Sequence, residues 1–276
     1  MKKLLLTTCL LLCLFILPSC GKKGFDEDKG TIIVGLECAY APFNWAETTK
    51  TNTNVPVNNQ KNLYAEGYDV MIARKIAESL GYELEIEMLS FDGLILALNS
   101  GKIDLIIAGM SPTEKRKKQI NFSESYYESN HVLLLDKNSS YVNAQTFSDL
   151  SGAKIMGQKS TIYDDLAKQT KEKNSSVAYQ NPLSTVPEIV VAMGAGAVDI
   201  TILEEPVAKG IIAAHPQYTY ISLTESFDIS YEDKVVSIGI RKADTDLLNK
   251  VNQALAKISN EERLAMMELA VSMQKE

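Results

Sequence analysis

Between Ala108 and Tyr127 the chain reads AGMSPTEKRKKQINFSESYY, and its first part gathers the groups that a carboxylate needs. Ser111 and Thr113 offer hydroxyls and backbone N–H groups, and Arg116 offers a planar fork of donors that meets a carboxylate through two parallel hydrogen bonds. Such a set can hold a small carboxylate. Lys115, Lys117 and Lys118 flank the arginine, and four adjacent cations cannot all face one site, so the lysines are assigned to the surface. A second edge carries the opposite charge, where Glu204 and Glu205 follow the apolar run VDITIL at 198–203. Both acids also suit the first turn of a helix, and Glu204 is preferred because it stands at the strand end and complements Arg116.

The surrounding elements must carry these groups to one place. Residues 103–108 have the length and branching of a buried strand, and the chain turns polar at Gly109, Ser111, Pro112 and Thr113, so a strand delivers the loop to a sheet edge. Short apolar runs at 31–36, 84–89, 131–135, 154–157, 218–223 and 235–240 read as further strands. Helical spacing is found over 70–80, stopped by Gly81, over 163–173, over 186–195 and twice within 247–273. The turn Gly157-Gln158-Lys159-Ser160-Thr161 opens the second of these, and a helix N-terminus favours an anion. Residues 46–64 are polar, rich in Asn and Thr and broken by Pro56, which predicts a long surface loop or irregular hairpin.

Composition narrows the function classes. A chain of 276 residues supports one large or two moderate domains, and a formal charge of -7 argues against nucleic acid as a partner. Lys2 and Lys3 precede an apolar stretch at 4–17 that is short for a membrane span but right for a secretory signal, which makes 1–19 a signal peptide. The stretch ends in Leu17-Pro18-Ser19-Cys20-Gly21, which resembles the lipobox of bacterial lipoproteins, so Cys20 is the expected lipid anchor. Residues 20–30 are charged and aperiodic, as a flexible tether would be. Cys9 and Cys13 fall in the leader, which leaves Cys38 without a partner and predicts neither a disulfide nor a thiolate metal site.

The order small-Gly-Met-Ser-Pro-Thr-Glu-Lys-Arg followed by Ile-Asn-Phe-Ser-Glu-Ser-Tyr-Tyr resembles the polar amino-acid receptors of bacterial ABC importers, the family 3 extracytoplasmic solute-binding proteins. The likeness runs from Ile32 to about Ala270. It implies an α/β fold of two lobes of the type II periplasmic-binding-protein kind, each a mixed sheet flanked by helices, with lobe 1 at 31–128 and 229–276 and lobe 2 at 129–228. It implies that Arg116, with Gly109 and Ser111, clamps the α-carboxylate, that Glu204 takes the α-ammonium, and that Tyr40 and Phe91 wall the ligand side chain. Glu37 then touches the side chain's distal end, and Ser160 and Thr161 stand where relatives have Gly-Thr with donors toward the carboxylate. The implied partner is a free polar or basic L-amino acid (Arg, Lys, His or Gln), handed by a monomeric receptor on the outer side of the bacterial membrane to an ABC permease. No cofactor and no metal is implied.

Two other classes share that scaffold: a periplasmic cyclohexadienyl or arogenate dehydratase and a sensor module of a signalling receptor. For the enzyme, Glu204 or Glu205 would act as the acid, while His131 and His215 read as strand and surface residues with no nucleophile beside them. The two acids Glu37 and Glu204 against one expected arginine favour a cationic or polar side chain over an acidic one.

Overall fold

The computed structural model describes residues 24–274. The expected signal peptide at 1–19, the anchor Cys20 and the first residues of the tether lie outside them. The chain first lays down β1 (Thr31–Leu36), then β2 (Ala39–Tyr40), β3 (Asn44–Glu47), β4 (Val55–Pro56) and β5 (Tyr64–Glu66). It continues through α1 (Tyr68–Leu80), β6 (Glu83–Met88), α2 (Leu94–Ser100), β7 (Leu105–Ile106), α3 (Glu114–Lys117) and β8 (Asn121–Glu128). After 129–130 come β9 (His131–Asp136), β10 (Lys154–Met156), α4 (Ile162–Lys173), β11 (Ala178–Tyr179), α5 (Val186–Gly194), β12 (Ile200–Glu204), α6 (Glu205–Ala214) and β13 (Tyr218–Ile221). The chain returns over 222–234 to β14 (Val235–Ile240), α7 (Thr245–Leu255) and α8 (Asn260–Met273).

Two five-stranded sheets result, ordered β6-β1-β7-β14-β8 and β11-β10-β12-β9-β13. Each has three parallel strands followed by antiparallel pairs, because β14 in one lobe and β9 in the other arrive from across the gap. This is the two-lobed mixed α/β architecture expected from the sequence. Parallel strands need both faces covered, and their residues are accordingly apolar: Ile32, Val34, Leu105, Ile155 and Ile200 have no exposed surface. In α8 the face that packs on α1 and α6 straps the two lobes together behind the gap.

Local chemistry sets the helix ends. Gly81 and Gly101 adopt the left-handed conformation that stops α1 and α2. Thr161 and Thr185 accept N–H bonds at the starts of α4 and α5.

The segment at 46–64 is more ordered than a surface loop. Together with its flanks it makes a small sheet, β2-β3-β5-β4, whose buried Glu66 carboxylate accepts the Thr51 and Thr53 hydroxyls at 3.0 and 2.8 Å. The stretch read as a tether is also packed at its end. Phe25 donates its N–H to Asp244 at 3.0 Å and meets the Tyr82 ring edge-on, while Lys250 pairs with Glu27 at 2.6 Å. An aromatic ring half-buried against lobe 1 explains why the charged composition of 20–30 does not keep all of it free.

Candidate functional site

The gap between the lobes is lined from the carboxyl ends of four parallel strands: Glu37 after β1, Gly109 and Ser111 after β7, Gln158 after β10, and Glu204 ending β12. Open α/β sheets place ligands at this edge, where side chains leave the packed core while the strands hold them rigid. Glu37, Tyr40, Phe91, Gly109, Ser111, Arg116, Gln158, Thr161, Ile162 and Tyr163 enclose one cavity of about 10 Å³, room for roughly one water. The lobes must therefore part to admit anything larger.

Of the four consecutive cations only Arg116 is buried; Lys115 and Lys118 are exposed and Lys117 pairs with Glu114 and Glu232. Its fork is held from both sides of the gap, since one terminal nitrogen donates to the Ser111 carbonyl at 2.8 Å and the other to the Ser160 carbonyl at 3.1 Å. The guanidinium lies over the Phe91 ring, 5.1 Å from its centre. Burial pulls its pKa down to about 10, with Tyr163, Asp165 and Asp233 acting the other way, and it keeps its charge at neutral pH.

On the facing wall Glu204 is buried and Glu205 is not. Glu204 accepts a hydrogen bond from the Tyr40 hydroxyl of lobe 1, and burial pushes its carboxyl up to about 8. Glu205 turns outward to Lys209 and Tyr220, at 2.7 and 3.1 Å, and these hold its pKa below the usual range. The sequence preferred Glu204 with Glu205 as its competitor; the strand-to-helix turn puts the first inward and the second outward.

Glu37 faces Gln158, whose amide donates to both carboxylate oxygens at 3.2 and 3.0 Å and to the Ser184 carbonyl at 3.0 Å. Burial raises Glu37 to about 7 against the lowering effect of that amide, with Asp69 and Asp92 adding to the rise. Tyr40 stacks nearly parallel on Phe43, 5.5 Å between centres, and Phe43 is wholly buried beneath it as core. Gly109 sits at φ 58, and a Cβ there would meet the Tyr40 ring at 3.1 Å, so the absence of a side chain lets the ring approach.

Several placements depart from the expected picture. Phe91 lies under the guanidinium of Arg116 as well as lining the cavity. Ser160 adopts φ 63, the left-handed conformation that the usual glycine takes without strain, and its carbonyl serves Arg116. The Thr161 hydroxyl donates to the Gln158 carbonyl at 2.7 Å and accepts the Tyr163 N–H, so it is spent on the turn and the helix cap. Asp69 is buried beneath the site, accepting from Asn44 and Tyr126 at 2.8 and 2.7 Å.

Sequence reasoning passed over Gln158, Tyr163 and the exposed pair Lys159 to Asp92, 2.9 Å across the gap. An amide in a polar turn carries no charge signal, and only the strand end before it hinted at a role. His131 packs edge-on against Tyr163 with its pKa lowered by burial to about 4, and His215 caps α6. Among the described residues no cluster of His, Cys, Asp and Glu could hold a metal, and no helix is long and apolar enough to cross a membrane.

Comparison with known proteins agrees with this geometry. The arginine-binding extracellular protein ArtP of Bacillus subtilis is 30% identical over 263 residues, covering 94% of each chain. A probable histidine-binding protein of Campylobacter jejuni is 31% identical over 227 residues, 78% of this chain and 80% of that one. The structure superposes on the amino acid ABC transporter substrate-binding protein AbpA of Streptococcus pneumoniae, bound to L-arginine, with a TM-score of 0.76 at 28% identity, covering 91% of this chain and 98% of that one. The model of the bacterial extracellular solute-binding proteins, family 3, matches residues 32–269, and the chain belongs to that family.

Proposed function

We propose that this protein is the receptor of an amino-acid ABC importer and closes its lobes on a free basic L-amino acid, with L-arginine as the first choice among Arg, Lys, His and Gln. The observation that carries the reading is the burial of a guanidinium and a carboxyl at the gap, Arg116 bonded across it to the Ser160 carbonyl and Glu204 bonded across it to the Tyr40 hydroxyl. A zwitterion laid between them offers its carboxylate to one and its ammonium to the other, so both contacts exist only when the lobes meet. Glu37 at the third corner balances a cationic side chain: two acids and one guanidinium face two cations and one carboxylate. A third, acidic group on the ligand would be repelled.

In this reading 31–128 and 229–276 move as one lobe and 129–228 as the other, about the crossings at 129–130 and 222–234. Arg116, Ser111 and Gly109 take the carboxylate with the α4 N-terminus at Ser160 and Thr161, and Tyr40 and Phe91 flank the side chain. Cys20 carries the lipid that holds a monomeric receptor outside the cell beside its permease. A thermal-shift series over the twenty amino acids tests the ligand. At a hundredfold excess over Kd a ligand adds about 2.7 kcal/mol, which moves Tm by roughly 5–10 °C for a chain of this size. L-Arginine is expected to give the largest shift; a response confined to aspartate and glutamate would overturn the charge argument.

A second reading, a dehydratase on the same scaffold, draws on Glu204, which burial keeps protonated to about pH 8. Incubation with prephenate or arogenate tests it, and aromatic product would support it over the receptor.

A further inference from the structure

A second cavity, about 300 Å³, adjoins the site at Glu37, and Arg116 is not among its lining residues. It shares Glu37 and Phe91 with the inner cavity, and its remaining wall includes Ala39, Met88, Leu89 and, from lobe 2, Ser184. Its outer rim is Gln60, delivered by the segment at 46–64. That segment is fastened for the purpose: Val57 bridges to Ile86 in parallel, Asn58 donates its N–H to the Ile86 carbonyl at 2.8 Å, and Asn59 exchanges two hydrogen bonds with the backbone of Met88, at 2.8 and 3.1 Å. Gln60 is then fixed one residue beyond a doubly bonded asparagine. The chain between β3 and β5 thereby becomes a wall beside the site.

We infer that this cavity is a distal subsite, which lets the protein accept basic amino acids whose side chain carries an alkyl group on its terminal nitrogen, such as an N-methylated guanidinium. The inference rests on the basic amino-acid reading of the inner cavity. Glu37 stands in the shared wall, and both of its oxygens are within hydrogen-bond reach of the Gln158 amide nitrogen, so both are open to donors from the gap. A guanidinium presenting two N–H groups to Glu37 keeps further N–H positions directed away from it. An alkyl group on one of those enters a space whose lining is mixed, with Ser90, Asp92, Lys159 and Thr185 on it as well, and there it packs against Ala39, Met88 and Leu89 while Asp92 and Lys159 stay paired with each other. A site that ended at Glu37 in packed core would exclude the same group by overlap.

Isothermal titration of the full receptor with L-arginine and with Nω-methyl-L-arginine tests the subsite, using the wild-type chain and Gln60→Trp. Gln60 is exposed and touches none of the groups assigned to the carboxylate, the ammonium or Glu37, so arginine titration of the variant also verifies its fold. In the wild type the two Kd values are expected to agree within fivefold. In Gln60→Trp the indole should fill the outer cavity, leave the arginine Kd within fivefold of wild type and weaken the methylated ligand at least tenfold relative to arginine. A wild-type ratio above fivefold overturns the subsite, as does a ratio in Gln60→Trp that stays below tenfold. If arginine itself fails to bind the wild type, it is the receptor reading that fails.

Discussion

Arg116 and Glu204 come from different lobes and are buried alike, 8% and 3% exposed, yet burial treats them differently. Loss of water disfavours charge on both, lowering the guanidinium to about 10 and raising the carboxyl to about 8. The guanidinium begins far enough from neutrality to survive the shift; the carboxyl crosses it. Lobe 1 therefore holds a standing cation, supported by two carbonyls, and lobe 2 holds an acid whose charge is conditional. In the proposed reading an arriving ammonium restores that charge and takes the place of the Tyr40 hydroxyl, so the carboxylate end of the ligand would meet a finished site and the ammonium end one completed on arrival.

The largest effect should follow from breaking the standing side. Arg116→Ala leaves a ligand carboxylate buried without its partner, a loss of about 2–5 kcal/mol, or roughly 30- to several thousand-fold in Kd for L-arginine by isothermal titration. Glu204→Gln keeps the shape and removes only the conditional charge. Its loss should be about 1.5–3 kcal/mol at pH 8.5 and smaller at pH 6, where the wild-type acid is itself protonated in the free protein. A Glu204→Gln deficit that did not change with pH would erase the contrast between the two walls.

The free protein's own stability carries the same signature. Glu204, Glu37 and Asp69 have pKa values raised by burial to about 8, 7 and 6. An acid with a raised folded pKa binds more protons folded than unfolded, so its contribution is complete below the unfolded pKa near 4 and fades as pH rises through 6 to 8. Tm of the ligand-free protein should fall by a few degrees between pH 5 and 8.5, and saturating arginine should flatten the slope by supplying Glu37 and Glu204 with cations. A Tm that rose over this window would contradict the burial argument. The smallest effect belongs to the rim, where Lys159 and Asp92 pair across the gap at 2.9 Å in an exposed position. Such pairs contribute about 0.2–1 kcal/mol, so Asp92→Asn should weaken arginine less than about fivefold.

The fold was readable because its parallel strands are short apolar runs bounded by polar turns, and the structure returns nearly every one. The run at 103–108 is buried throughout, though only Leu105–Ile106 pairs as strand. Arg116 was legible because a strand end, two hydroxyl residues and a guanidinium fall within a few positions. Glu204 was preferred to Glu205 only on its place at the strand end, since one residue of phase decides which acid ends β12 and which begins α6. Gln158 was invisible for a different reason: its partner Glu37 lies 121 residues away, and an uncharged amide announces no such pairing. The same holds for 46–64, whose two- and three-residue strands are specified by contacts with α1 and β6 and by no local periodicity.

The account turns on a ligand spanning the lobes by its two charged ends, and agmatine, which is arginine without the carboxylate, removes one end while leaving every protein residue in place. Titrating the wild-type receptor with both ligands at pH 8 should show agmatine binding at least a hundredfold more weakly than L-arginine. Binding of the two within tenfold of each other would mean that Arg116 does not hold the carboxylate, and the bridging account would fail.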